Sequence, residues 1–353
     1  MISALKEDVL KYEQEAGASS RSDHHQQLVE KKTLLAELVK ERVAGAMVHL
    51  RMSRIQLETP NKEFFNLEKA VKTSRQIHSL HSPNGVLTCQ SDIKHSMQVF
   101  YSNLFTPRTV DKTIINEVIE LLPSLSQEQQ QQLECDISFE ELTAASKLLE
   151  DGKAPGLDGL PAEFYKAFWN ILGPALMETL LESLDQGELP LSCRRAVLCL
   201  LPKKGDLQQI TNWRPVSLLN TDYKIVSKVL AMRLKNVISL LIGNDQTYCI
   251  PGRSIYDSIF LVRDLIAIGQ TVPHGFGLLL LDQEKAFDSV DHSFLFAVLT
   301  RAGFGEKFIS CIKLLYRNAS CLLKVNNSLC HIFPFQRGIH QGCPLSGMLN
   351  TFR

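Results

Sequence analysis

The sequence predicts an α+β protein. Segments with apolar residues at helical spacing recur along the chain, for example at residues 93–105 and 306–316. Short apolar runs bounded by Gly, Pro or charged residues lie between such segments, as is typical of strands, and the clearest are Ala196–Leu201 and Leu278–Leu281. With 353 residues, 44% of them hydrophobic, the chain can bury a sizeable core and hold two or three subdomains.

Charge is balanced over the whole chain but not along it. Lys plus Arg and Asp plus Glu both number 38, so net charge does not indicate a nucleic-acid partner. Residues 191–236, however, contain nine basic and two acidic residues, which favours a polyphosphate or nucleic-acid backbone over the alternative of a solvated helix face. The basic residues are Arg194, Arg195, Lys203, Lys204, Arg214, Lys224, Lys228, Arg233 and Lys235.

The nine cysteines contain no C-x-x-C pair, which argues against a zinc site. Their odd number and the absence of a signal peptide predict reduced thiols in an intracellular protein, cytoplasmic or nuclear. No apolar run approaches the roughly 18–20 residues of a membrane span, so no membrane association is expected.

The N-terminal part is predicted to be helical. Residues 1–17 and 27–58 have helical patterns and are separated by a polar hinge at 19–25. A capping box at Ser138–Glu141 starts another helix that continues through Leu149. We therefore predict two regions: a helical arm and linker at 1–125, and a second domain at 126–353.

The four consecutive leucines Leu278–Leu281 predict a strand buried on both faces. Such a strand would deliver Asp282 at its carboxyl end, at the edge of the core. A rigidly held carboxylate is a hard oxygen ligand that suits Mg²⁺ in phosphoryl-transfer enzymes. The alternative is that Asp282 solvates the strand end or caps the next helix.

Six segments resemble, in order, the motifs of reverse transcriptases of non-LTR retrotransposons. The first carboxylate motif of that family, an apolar strand followed by D-x-x-K-A-F-D, is similar to Asp282–Asp288. The other five patterns are K-F-F-x-N-L-E-K at 62–69, G-K-A-P-G-x-D-G at 152–159, P-K with W-R-P-x-S at 202–217, Q-x-x-F-x-P-G-R-S-I at 246–255, and R-G-x-x-Q-G-x-P-L-S at 337–346. Tyr248 and Cys249 stand where the family usually has a Gly-Phe-like pair. The resemblance covers about residues 60–350 and implies the fingers and part of the palm of a right-hand polymerase.

The resemblance also implies two sets of binding residues. Three cationic residues would bind the incoming triphosphate, an aromatic gate would pack against its sugar and exclude a 2′-hydroxyl, and a Gln-Gly pair would support the nascent base pair. These nucleotide-binding residues are Lys203, Lys204, Arg214, Phe287, Gln341 and Gly342. The implied template-binding residues are Lys153, Gly156 and Arg253.

Polymerisation in this family uses two Mg²⁺ ions about 3.5–4 Å apart, which Mn²⁺ can replace. By resemblance, Asp282 is the catalytic metal ligand and the backbone around Gln283 also lies near the metal. Asp288 is expected to orient or cap locally. The family's second carboxylate motif, x-D-D, is not found, and the sequence contains no Asp-Asp pair.

We therefore expect an RNA-directed DNA polymerase domain that uses an RNA template, a DNA primer and deoxynucleoside triphosphates. Because one carboxylate cannot hold two cations, the chain by itself is expected to be inactive unless an oligomer or a partner completes the palm. The alternatives are a non-enzymatic RNA-binding remnant and a translated relic without a settled fold. An in-frame x-D-D hairpin downstream in the transcript would instead indicate an incomplete gene model.

Overall fold

A computed structural model describes residues 5, 7–13, 22–50, 76–83, 85–273 and 276–352. It divides the chain into two compact units, residues 1–76 and residues 77–353. The second unit begins well before the domain boundary predicted after residue 125, and Met97 and Tyr101 are buried in its core. The arm segment predicted at 62–69 lies outside the described residues.

The longest described helix of the first unit is α1 (Ser22–Leu50). Residues 7–13 are also helical, and the carboxylate of Asp8 lies 3.2 Å from the ammonium of Lys31 in α1. The helix α1 therefore begins inside the stretch predicted as a hinge. The predicted continuation to residue 58 lies beyond the described residues.

The described part of the second unit is largely helical. Its helices are α2 (Gln90–Leu104), α3 (Lys112–Ile119), α4 (Gln127–Leu133), α5 (Phe139–Lys147), α6 (Ala162–Ala167), α7 (Trp169–Gln186), α8 (Thr221–Lys235), α9 (Ile238–Leu241), α10 (Ile255–Gly269), α11 (His292–Arg301), α12 (Glu306–Tyr316) and α13 (Ser346–Leu349). Short 3₁₀ helices occupy Ile210–Asn212, Phe287–Ser289 and Asn350–Phe352. The helices predicted at 93–105 and 306–316 are confirmed as α2 and α12.

The described strands form a two-stranded and a four-stranded sheet. β1 (Leu80–Ser82) and β2 (Gly85–Leu87) are an antiparallel pair. The larger sheet contains β3 (Arg195–Pro202), β4 (Trp213–Leu218), β5 (Ser320–Val325) and β6 (Ser328–Pro334), in the spatial order β4-β3-β5-β6. β3 is antiparallel to β4 and parallel to β5, and β5 is antiparallel to β6. The helices, the antiparallel two-stranded sheet and the mixed four-stranded sheet together confirm the α+β class.

The turn between β5 and β6 follows from its sequence. Asn326 and Asn327 both have positive φ, at 47° and 65°. Two consecutive residues of this kind are what a two-residue type I′ turn requires, and Asn tolerates the left-handed region better than most residues. The side-chain amide of Asn326 also donates to the carbonyl oxygen of Ile77 at 2.8 Å, which attaches the hairpin tip to the start of this unit.

The capping box predicted at Ser138–Glu141 is present at the start of α5. The Glu141 amide donates to Ser138 Oγ at 3.2 Å, and the Ser138 amide donates to the Glu141 carboxylate at 3.0 Å. Glu141 has a second partner that the local sequence does not indicate. Arg233 of α8 donates to both of its carboxylate oxygens at 2.7 Å and also to the backbone carbonyl of Cys135 at 2.6 Å.

Helix α8 runs through the centre of the core. Most of its residues are buried, including Ile225, Leu230 and Leu234, which have no exposed surface. A helix surrounded in this way is stabilised mainly by packing, at about 1.5–3 kcal/mol for each large aliphatic side chain that is fully buried. It follows β4 directly, so its position is tied to that of the strand.

The prediction of a buried strand at Leu278–Leu281 is wrong. These residues belong to none of the described strands, and the exposed fractions of the last three leucines are 78%, 80% and 85%. A run buried on both faces needs a neighbouring strand, and neither edge of the described sheet pairs with this run. The adjacent helix α10 likewise exposes large apolar side chains, among them Phe260 and Leu261.

Candidate nucleotide-binding site

A cleft of about 650 Å³ lies in the second unit, between the ends of β3 and β4, the turn after Asp282, and the loop before α13. Seven residues predicted from the sequence line it, although they come from four separate segments. They are Lys203, Arg214, Asp282, Gln283, Phe287, Gln341 and Gly342. Lys204, Lys153, Gly156 and Arg253 do not line it.

The basic side of the cleft comes from Lys203, just after β3, and Arg214 in β4. The Lys203 amide donates to the Asn212 carbonyl at 2.8 Å, which fixes the connection between the two strands. Arg214 is exposed, and its guanidinium makes no hydrogen bond or ion pair with any residue that the structure describes. Such a planar donor fork can bind phosphate oxygens in a bidentate manner, with the lysine as a second point charge.

Two exposed acidic residues line the cleft: Asp282, at the end of the leucine run, and Glu284, whose carboxylate lies 3.6 Å from the Lys285 ammonium. The described residues contain no group of three or more His, Cys, Asp or Glu side chains arranged to hold a metal ion. The other aspartate of the cleft, Asp288, is buried and accepts a hydrogen bond from Gln341. Two exposed carboxylates, one of them paired with a lysine, are fewer ligands than a centre for two divalent cations needs.

Phe287 and Asp288 belong to a short 3₁₀ helix held by backbone contacts. The Ile339 amide donates to the Phe287 carbonyl at 2.8 Å, so this turn is attached to the segment that precedes Gln341. Lys285 precedes it with a φ of 50°, and its ammonium lies 4.4 Å from the centre of the Phe100 ring. The Phe287 ring is half-buried and faces the cleft.

Burial raises the pKa of Asp288 to about 6, although the Gln341 hydrogen bond and the nearby cations Lys285, Lys203 and Arg214 act in the opposite direction. The Gln341 side-chain amide donates to Asp288 Oδ1 at 2.9 Å. This agrees with the expectation that Asp288 has a local orienting role, since its bond fixes the Gln341 side chain at the cleft.

The Gln341–Gly342 backbone is packed against β4. The Ser217 amide donates to the Gln341 carbonyl at 2.7 Å. Gly342 has a φ of +121°, and a Cβ atom at this position would lie 2.6 Å from the Ser217 carbonyl oxygen, so only glycine fits. Behind the loop, the buried His340 ring stacks on Phe335 at 4.0 Å, and burial lowers its pKa to about 3, so it is neutral at pH 7.

The three residues predicted to bind template make internal contacts. The ammonium of Lys153 lies 2.8 Å from the Glu150 carboxylate. A Cβ at Gly156 would lie 2.0 Å from Asn220 Oδ1, so this glycine permits close packing of its loop on the start of α8. Arg253 donates to backbone carbonyls, including that of Gln246 at 2.8 Å.

The basic stretch at 191–236 does not form one continuous surface. Arg194 is paired with Glu188, and Arg233 is bound by Glu141 as described above. The Lys224 ammonium donates to the Ala154 carbonyl at 3.0 Å. Of the nine basic residues, Lys203 and Arg214 are the two that line the cleft.

Sequence reasoning missed three aromatic residues of the cleft, Tyr101, Trp213 and Tyr248. Trp213 lines it, and its carbonyl accepts a hydrogen bond from the buried hydroxyl of Tyr101 at 2.9 Å. Tyr248 also lines it, with its ring 6.5 Å from that of Phe287. The signal available for Tyr248 was its departure from the Gly-Phe-like pair usual in the related motif.

Comparison with known proteins gives consistent matches. A family model described as reverse transcriptase (RNA-dependent DNA polymerase) matches residues 201–352. The transposon TX1 uncharacterized 149 kDa protein of Xenopus laevis is 43% identical over 350 residues, which are 99% of this chain and 27% of that protein. The retrovirus-related Pol polyprotein from type-1 retrotransposable element R2 of Popillia japonica is 28% identical over 214 residues, 60% of this chain and 29% of the relative.

This chain therefore spans less than a third of the length of either relative. No described helix combines the length and the apolarity needed to span a membrane. The stretch matched by the family model contains all residues that line the cleft except Tyr101 and Leu104. Taken with the motifs and their order, these matches show that the chain carries a reverse transcriptase domain of the non-LTR retrotransposon class.

Proposed function

We propose that this chain supplies the nucleotide-binding cleft of an RNA-directed DNA polymerase, which copies an RNA template by extending a DNA primer with deoxynucleoside triphosphates. The observation that carries the proposal is the convergence of Lys203, Arg214, Asp282, Phe287 and Gln341 on one cleft. A triphosphate needs cations, a sugar needs an apolar wall, and a base pair needs a closely approaching backbone. The cleft has all three.

Each residue has a defined role in this proposal. Arg214 and Lys203 bind the triphosphate oxygens, and Phe287 packs against the sugar. Gln341, oriented by Asp288, and the adjacent Gly342 lie under the base. Members of this family use divalent metal ions, and Asp282 is the carboxylate available to one of them.

We propose further that this chain alone binds nucleotide but does not extend a primer. The support is the carboxylate content of the cleft: Asp282 and Glu284 are exposed to it, but Glu284 is paired with Lys285, and Asp288 is buried and bonded to Gln341. Two cations that share charge-neutralising ligands need more than this. A partner or a second copy that adds carboxylates would remove the restriction.

Nucleotide binding tests the first part of the proposal. Calorimetric titration of the chain with dATP and Mg²⁺ is expected to give measurable binding, which Lys203→Met and Arg214→Met each weaken about tenfold by removing charge-assisted hydrogen bonds. Lys204→Met is the matched control, since Lys204 is exposed and does not line the cleft. Equal effects of all three variants would contradict the assignment.

Primer extension tests the second part. The purified chain and its Asp282→Asn variant are compared on a primed RNA template with Mg²⁺ and with Mn²⁺. We expect no extension by either protein. Extension by the wild-type chain that is lost in Asp282→Asn would mean that the metal site is completed in trans.

A second candidate function is RNA binding without catalysis, favoured by the exposed Lys204 beside Lys203 at the end of β3. Under this alternative, RNA affinity falls steeply with salt and is reduced by Lys204→Glu, because phosphate contacts release counterions. The template role of Lys153, Gly156 and Arg253 remains a proposal of the same kind. Lys153→Glu tests it directly, since Lys153 is exposed and can be changed without disturbing the core.

A further inference from the structure

Tyr248 lies in the wall of the cleft, in the loop between α9 and α10. Its ring meets that of Phe287 edge to face, with the centroids 6.5 Å apart and the planes at 87°. Tyr248 is 51% exposed and Phe287 is half-buried, so both rings present apolar surface to the same space. An edge-to-face pair of this kind is a favourable arrangement that fixes the two rings relative to each other.

The loop that carries Tyr248 is held in place from both sides. Arg253 donates to the carbonyls of Gln246 at 2.8 Å and of Ile242 at 3.0 Å, which ties the two ends of the loop together. On the other side, Cys249 packs over Gly347, where an added Cβ would lie 2.5 Å from its sulfur. Arg253 is therefore a positioning residue for this loop.

Cys249 has a φ of +55°, a left-handed conformation that is unfavourable for a non-glycine residue. Such a conformation persists only where the surroundings enforce it, and these sites are concentrated around ligand-binding residues. Here the strained residue is the immediate neighbour of Tyr248. The unfavourable backbone conformation of Cys249 is therefore retained in a loop that holds an aromatic ring in the cleft.

We propose that Tyr248, together with Phe287, determines the specificity of the cleft for the sugar of the bound nucleotide; this inference rests on the proposed nucleotide-binding function. The two adjoining ring faces, as distinct from the Tyr248 hydroxyl, offer a ribose 2′-hydroxyl no hydrogen-bond partner, so a ribonucleotide that packs on them loses hydration without compensation. A deoxyribose presents a methylene group instead, which packs favourably on the rings. The ring of Tyr248, rather than its hydroxyl group, performs this selection.

The test is a comparison of dissociation constants for dATP and ATP, measured by titration calorimetry with Mg²⁺. Wild type is expected to bind dATP about tenfold more tightly than ATP. Tyr248→Phe keeps this ratio, whereas Tyr248→Ala reduces it severalfold. Tyr256→Ala is the matched control: Tyr256 is 63% exposed and also pairs with a phenylalanine, Phe260, but lies outside the cleft.

The outcomes separate this inference from the function on which it rests. Wild type that binds dATP, with a dATP to ATP ratio that is unchanged in Tyr248→Ala, would overturn the role of Tyr248 and leave the cleft a nucleotide site. Wild type that binds neither nucleotide would overturn both. Thermal unfolding of each variant shows whether it is folded, and because Tyr248 is half exposed we expect melting temperatures close to that of wild type.

Discussion

Replacing Asp288 by Asn is expected to stabilise the domain at neutral pH and to weaken the dependence of its stability on pH. Asp288 is 4% exposed, and its pKa rises from the ordinary 3.8 to about 6 in the folded chain, chiefly because it is buried. The folded state therefore retains a proton that the unfolded state has already lost between these two pH values. The contribution that this bound proton makes to the free energy of unfolding is fully present below pH 3.8 and is lost as the pH rises through 6.

The magnitude follows from the shift of about two pKa units. At pH 7.5 the charged Asp288 lowers the free energy of unfolding by about 3 kcal/mol relative to a neutral side chain, and at pH 5 by about half as much. Asn at this position stays neutral and its amide oxygen can still accept the hydrogen bond from Gln341. The stabilising effect of Asp288→Asn should therefore be larger at pH 7.5 than at pH 5.

Urea unfolding at both pH values, followed by tryptophan fluorescence, measures this difference. Asp185→Asn on α7 is the control, since Asp185 is an exposed aspartate in a helix. Its substitution should change the free energy of unfolding little at either pH. An Asp288→Asn effect of the same size at pH 5 and pH 7.5, or a destabilisation at both, would refute the account of a buried and poorly solvated carboxylate.

Three further substitutions test other contacts of the second unit. Arg233→Met should lower the free energy of unfolding by about 3 kcal/mol in a urea titration, because it removes the cation paired with Glu141 and the donor to several backbone carbonyls. An effect below about 1 kcal/mol would contradict this. Gly156→Ala should lower the melting temperature, because its new Cβ collides with neighbouring atoms. Gly277→Ala is the control and should leave the melting temperature unchanged, since nothing lies within 4 Å of a Cβ there. Equal melting temperatures of the two variants would show that the Gly156 loop can move aside. Gly342→Ala should weaken dATP binding in calorimetry, because its Cβ would push the cleft loop away from β4; unchanged affinity would place the loop outside the nucleotide site.

Short motifs were enough to predict several residues that the fold brings together. Lys203, Arg214, Phe287 and Gln341 were identified from short patterns, and the structure brings these four segments to one cleft. The capping box of α5 and the Asn326–Asn327 turn can also be predicted from the sequence, because each is caused by residues close together in the chain.

The features of the fold and of the cleft that the sequence did not predict depend on contacts between residues distant in the chain. Whether Leu278–Leu281 forms a strand is decided by the presence of a partner strand, which the run itself does not specify. Arg253 and Arg233 are basic in the sequence but are bound by carbonyls and a carboxylate in the fold, so a positive charge alone did not identify a phosphate contact. Tyr248 faces the cleft because its loop is tied at both ends, which no local pattern encodes.

The order of strands in the larger sheet has a consequence for the synthesis of the chain. β3 pairs with its antiparallel neighbour β4 across a short connection, but its parallel pairing with β5 joins Arg195 to Ser320. At about 5–20 residues per second, a ribosome needs roughly 6–25 s to add the chain between them. During that interval the β3 edge that later pairs with β5 has no partner strand. We therefore expect slow elongation to favour chaperone binding or misfolding at this edge. The β5–β6 hairpin should complete the sheet in a late step.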